Sequence, residues 1–175
     1  GLLYRLKNLL GVFIAAVLYF VLVYHLTNLY ATEHHGVERF ILMEGGIYTA
    51  LFWIVQIGLG SLLPLAMIYH PRIGKSRPAI ATACALVIIG GFAQLYVLLI
   101  GGQAYPLDMF PGYEVTSSFF DGVVASYRPS IWEITLGVGG IALALLIVQV
   151  AARVLRFLPD TLEDSAIDPH AAKAD

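Results

Sequence analysis

The chain has 175 residues, 59% of them hydrophobic and only 13% charged, with a formal net charge of −2. A soluble domain of this size is usually about 45–50% apolar and about 25% charged, so this composition excludes an ordinary water-soluble globule and offers no basic surface for a nucleic acid. The single cysteine, Cys84, excludes an internal disulfide, and the sequence has neither a C-x-x-C-H for haem nor a cysteine cluster for iron–sulfur ligation, so no covalently bound cofactor is expected.

Four stretches contain no Asp, Glu, Lys or Arg: Asn8 to Thr32, Gly45 to Pro71, Pro78 to Leu107, and Ile134 to Ala152. A bilayer core needs about 20 apolar residues in a helix, and each stretch supplies them. Transmembrane helices are predicted over 9–30, 46–69, 79–100 and 131–155. The first run is too long for a signal-peptide core and no small-residue cleavage pattern follows it. The chain opens on Gly1, as expected of a processed, trimmed or excised start.

The last turns of the first helix carry Tyr24, His25 and Asn28. His25 and Asn28 are three apart and share a face, with Tyr24 on its flank. An imidazole and an amide there can hydrogen-bond a small ligand, and the histidine can accept a proton near neutral pH. They can equally bond a neighbouring helix or touch interfacial water. Glu33, His34, His35, Glu38 and Arg39 follow. His34 and Glu38 stand at i, i+4, as do His35 and Arg39. A metal site needs three or four convergent ligands and adjacent histidines diverge on a helix, so no metal is expected. A wet, partner-facing helix mouth fits the cluster better.

Glu44 lies at the mouth of the second helix with Tyr48 one turn deeper, and Gln56 lies near mid-membrane. Pro64 is expected to kink the rod or mark a packing adjustment. HPRIGKSRP (70–78) is a short basic turn suited to an antiparallel hairpin. Helix three carries Gly90, Gly91 and Gln94. The 101–130 loop is aromatic-rich, with Tyr105, Phe110, Tyr113, Phe119, Phe120 and Tyr127 placed to form an interfacial belt. A short helix over 117–127 is expected within it. Residues 159–175 form a polar tail. Arg5, Lys7, Arg72, Lys75, Arg77, Arg153, Arg156 and Lys173 share one side and only Arg39 and Arg128 the other, which predicts cytoplasmic termini and an exterior 101–130 loop. The expected fold is all-α: a polytopic membrane protein whose residues 1–158 form four transmembrane helices in an antiparallel bundle.

The strings IYTALFWIVQIGLGSLLPLAMIYHP (47–71) and IGGQAYPLDMFPGYEVTSSFFDG (100–122), with HLTNLY closing the first helix, resemble the NrfD/PsrC family of integral membrane subunits. The likeness covers essentially 10–158, and the loop string is its more specific part. It implies ten helices in two four-helix bundles in longer members, of which this chain looks like the C-terminal part without the N-terminal bundle. It also implies no redox cofactor of the chain's own. An exchangeable quinone or quinol (menaquinone or ubiquinone) would be the substrate. The partners would be membrane lipid, other membrane subunits and a ferredoxin-like iron–sulfur subunit on the exterior face, in a respiratory complex of the sulfur-metabolism type in the bacterial inner membrane.

Two functions follow. In the first, a cofactor-free subunit of a quinone-linked oxidoreductase handles quinol: His25 takes a proton, Asn28 and Tyr24 orient the ring oxygens, and Glu44 relays to water. In the second, a non-catalytic structural or proton-conducting bundle anchors other subunits, with His34, His35, Glu38, Arg39, Tyr105, Phe110 and Tyr113 as docking residues.

Overall fold

The computed structural model describes residues 2–106 and 122–155. Among the described residues the regular structure is helical throughout, with no β-strand. The elements are α1 (Leu2–Tyr30), the short α2 (His35–Arg39), α3 (Ile47–Tyr69), α4 (Arg77–Ala104) and α5 (Ile131–Leu155). All but α2 are long and apolar enough to cross a membrane. The shortest of them, α3, has 23 residues and at about 1.5 Å per residue spans about 34 Å, against a hydrocarbon core of about 30 Å. The charge gaps therefore locate the rods, as expected of a polytopic all-α membrane protein.

Helix α1 begins at Leu2, well before the apolar gap opens at Asn8. The gap marks where charge stops, whereas Leu, Arg and Lys are all good helix formers and continue the rod beyond it. The basic end is then seated on the turn that joins α3 to α4. Tyr4 Oη donates to the Lys75 carbonyl at 3.3 Å and Lys7 Nζ to the Gly74 carbonyl at 3.4 Å.

Helices α1, α3 and α4 lie within one compact unit, residues 3–126, and sequence neighbours among them run antiparallel. Gly11 of α1 lies under the Tyr69 ring at the far end of α3, and Gly60 of α3 meets Gly90 of α4. A Cβ on either of the latter glycines would collide with the other's Cα. Lipid supplies no hydrophobic force between helices, so such backbone contact is how rods gain dispersion energy in a bilayer. Two buried clusters flank this crossing. One contains Val21, Phe40, Ile41, Tyr48, Phe52 and Val97, the other Ile14, Ile68 and Ala83. Apolar side chains such as Leu9, Val12, Phe13, Ile54, Leu62 and Ile88 point outward, as a lipid environment requires.

Within α3, residues Leu51–Leu62 are wound as a π-helix, and the Leu63 N–H bonds the Gly58 carbonyl five residues back. Pro64 follows, buried. A proline has no N–H and its ring crowds the carbonyl four residues earlier, here Gly60. The wider winding ahead of it removes that conflict and leaves the rod continuous.

Helix α5 falls in a second unit with Tyr127 and is described by itself. A capping box starts it: the Ser130 N–H donates to Glu133 Oε2 at 2.6 Å, and the Glu133 N–H donates to Ser130 Oγ at 3.3 Å. Residues 122–127 are turn, bend and irregular chain, so the helix expected over 117–127 does not include them. Phe110, Tyr113, Phe119 and Phe120, with the rest of that expected helix and the tail, lie outside the described residues.

Candidate functional site

The site is made by the connector between α1 and α3. Ala31 takes extended dihedrals (φ −79°, ψ 112°), which stop α1, and a 3-10 turn over Thr32–His34 leads into α2. A π turn over Phe40–Glu44 completes the connector. This path drives Phe40 and Ile41 into the core beside Val21 and Phe52. Phe40's carbonyl accepts from the Gly45 N–H at 2.6 Å and from Thr49 Oγ1 at 3.2 Å, and the Trp53 indole N–H donates to the Leu42 carbonyl at 2.9 Å. Gly46 closes the connector at φ 56°, ψ −104°, a conformation an L side chain enters only with strain.

The same path carries Glu38 inward, where it is 1% exposed. Its Oε2 lies 2.6 Å from His25 Nδ1, and its Oε1 accepts from Asn28 Nδ2 at 2.8 Å. Every deeply buried side-chain polar atom among the described residues has a partner. A carboxyl oxygen this close to an imidazole nitrogen shares a proton with it; with that proton on the ring, Nδ1–H donates to Glu38 and Nε2 is the nitrogen left for a ligand. The His25 ring is held edge-on against Tyr24, at 5.1 Å between centroids, and Phe52, at 4.8 Å. An imidazole fixed by a buried carboxylate on one nitrogen and open on the other can give or take one proton at a defined point.

His25 and Phe52 form a wall shared by two cavities. One encloses about 230 Å³ and brings together Tyr24 and His25 of α1, Gln56 of α3 and Gln94 of α4, with Phe20 and Phe52 as apolar sides. A mostly apolar box with a few convergent polar groups from several elements is the usual form of a small-molecule site. The other, of about 280 Å³, is a groove of Leu18, Leu22, Leu26 and Leu29 from α1 and Trp53 and Ile57 from α3. The Trp53 N–H is already bonded to Leu42, so the groove offers hydrocarbon and ring faces.

Tyr24 and His25 both line the first cavity. Asn28 lines neither cavity and gives its amide to Glu38, which makes it a support for the carboxylate. Glu44 is not brought to the site: it is exposed and bonded by Arg39 Nε at 2.7 Å. Glu38, expected on an exposed docking face, is instead buried under His25. The i, i+4 spacing pairs it with His34, but the contacts that matter span 13 and 10 residues and depend on the break at Ala31. Tyr105 also turns inward, packing on Phe40 at 5.6 Å between centroids and against Gly36. His34, His35 and Arg39 remain exposed, with the His35 ring against the Leu29 carbonyl. Gln56 and Gln94 also line the cavity, and their placement in apolar runs is the sequence signal for it. Among the described residues no three His, Cys, Asp or Glu side chains converge in a way that would hold a metal ion.

The family model for polysulphide reductase, NrfD, matches residues 1–106. The chain is 28% identical over 153 residues to the Hdr-like menaquinol oxidoreductase integral membrane subunit of Archaeoglobus fulgidus, covering 86% of this chain and 38% of that protein. It is 29% identical over 172 residues to a protein of Halobacterium salinarum named for the membrane subunit of a dimethyl sulfoxide reductase, covering 91% and 37%. A selenate reductase subunit from Mesobacillus selenatarsenatis is 27% identical over 157 residues, covering 89% and 35%. The chain therefore spans between 35% and 38% of the length of these curated relatives. No solved structure matches it.

Proposed function

The chain belongs to the NrfD family of polysulphide reductase membrane subunits, and we propose from that premise that it serves a respiratory oxidoreductase complex by exchanging protons and electrons with membrane quinone. The observation that carries this reading is the buried His25–Glu38–Asn28 network on the wall of a polar-lined cavity. Quinol oxidation releases two electrons and two protons. One quinol hydroxyl in the cavity gives its proton to His25 Nε2, where the Glu38 carboxylate steadies the imidazolium that results, and the second hydroxyl loses its proton to water. Asn28 holds the carboxylate in place. The electrons pass to a group carried by another chain. The cavity has the volume of roughly seven or eight waters, which suits a ring headgroup, and the apolar groove beyond the His25–Phe52 wall suits an isoprenoid tail.

The relative from Archaeoglobus fulgidus is named a menaquinol oxidoreductase subunit, which supports a menaquinone-type substrate here. The strings 47–71 and 100–122 resemble DsrP of the DsrMKJOP complex, which favours a role for the chain in sulfur metabolism. Its electron partner is then a ferredoxin-like iron–sulfur subunit on the exterior face, near the exposed His34, His35 and Arg39. The one-sided basic residues support cytoplasmic termini in the inner membrane.

The test is quinol-linked reduction by the assembled complex carrying His25→Gln. Losing a positioned proton acceptor lowers turnover by about a hundredfold or more, and binding of a quinone analogue weakens with it. Unchanged turnover together with unchanged analogue affinity would remove His25 from the site.

A further inference from the structure

Gln56 is 5% exposed, yet among the described residues neither its amide nor that of Gln94 makes a side-chain hydrogen bond. Both line the 230 Å³ cavity, and they come from different rods, α3 and α4, while His25 comes from α1. An amide within an apolar span is costly unless something bonds it, and the usual partner is another helix. Here both residues line the cavity instead. We propose that Gln56 and Gln94 form its second polar pole, and that they bind the far oxygen of a ring whose near oxygen meets His25.

This rests on the quinone reading and narrows it to a ligand with two opposed ring oxygens. The two poles differ in chemistry. The His25–Glu38 pole exchanges a proton. An amide cannot, but it presents an N–H and a carbonyl together. It donates to a quinone carbonyl and accepts from a quinol hydroxyl, so it holds both redox forms without any change of charge. Two amides from separate rods also reach the far oxygen from two directions, which narrows the ring orientations that satisfy both.

The experiment uses the full chain in lipid nanodiscs with Trp132→Phe, which leaves Trp53 as the only tryptophan. Trp53 lines the groove and packs edge-on against Phe52 at 4.9 Å, so its fluorescence reports occupancy of the adjoining cavity. Affinities of 1,4-naphthoquinone and 1-tetralone, which lacks the second carbonyl, are measured by direct quenching and by competition. The dione binds about tenfold more tightly, the worth of one good buried hydrogen bond. Gln56→Leu and Gln94→Leu each bring that ratio towards one while 1-tetralone affinity shifts by no more than about twofold. Gln56→Met preserves side-chain length and gives the same result if the leucine variant folds poorly. His25→Gln shifts both probes alike and leaves their ratio unchanged. Wild-type binding of the dione with a ratio unchanged in Gln56→Leu and Gln56→Met overturns this proposal and leaves the quinone reading intact. Loss of proton permeability in vesicles with that unchanged ratio also overturns it and assigns the amides to a proton path. Absence of dione binding to the wild-type chain overturns both.

Discussion

Replacing Glu38 by alanine tests the site most directly. The change removes a carboxylate that is 1% exposed and orphans two donors at once, His25 Nδ1–H and Asn28 Nδ2. Hydrogen bonds to a charged group are worth about 1.5–3 kcal/mol net, but polar contacts between membrane helices average only about 0.6 kcal/mol in double-mutant cycles. The Glu38 contacts should lie above that average, because the connector covers them and water cannot replace the lost partner. Part of the loss is offset by no longer burying a carboxylate. The expected destabilisation is about 2–3 kcal/mol, read from reversible unfolding in mixed micelles. A cycle with His25→Ala should show a coupling of about 1–2 kcal/mol, well outside the ~0.5 kcal/mol within which independent sites add. The pair His25→Leu and Glu38→Leu together should recover most of the loss, since replacing both partners of a buried polar contact by apolar side chains is often nearly neutral. Additive single and double variants, or a cost for Glu38→Ala below about 0.5 kcal/mol, would refute the claim that this carboxylate anchors the connector to α1.

Two further substitutions examine the frame that holds the site. Gly60→Val sets a branched side chain against the Gly90 backbone, and overpacking of this kind costs about 1–3 kcal/mol or more, whereas Gly91→Ala, with nothing near it, should be almost silent in the same unfolding assay. Gly46→Ala keeps the space but not the dihedrals, so about 1–3 kcal/mol of backbone strain should appear, together with faster proteolysis between residues 40 and 47.

The rods were readable because charge is excluded from a bilayer core, and that exclusion acts on each residue alone. That Tyr24 and His25 lie together was readable for a related reason: they share one helix, and helical periodicity is local. Glu38 was not. Its position follows from an extended residue at Ala31, a connector that folds back, and apolar neighbours at Phe40 and Ile41 that pull it under. No pairwise spacing encodes that path. Glu44, by contrast, looked well placed at a helix mouth but is occupied by Arg39. Tyr105 looked like belt material until the Phe40 ring and Gly36 supplied a bed for it.

The distance along the chain between His25 and its carboxylate also bears on how the protein is made. As α1 is made, it carries an imidazole and an amide whose shared partner lies outside its own rod. Their partner is synthesised only with residue 38, and it stays in place only once α3 and Gly46 have turned the connector back. Helix α1 is therefore completed as part of a hairpin with α3, because its polar face meets its partner only through the connector between them.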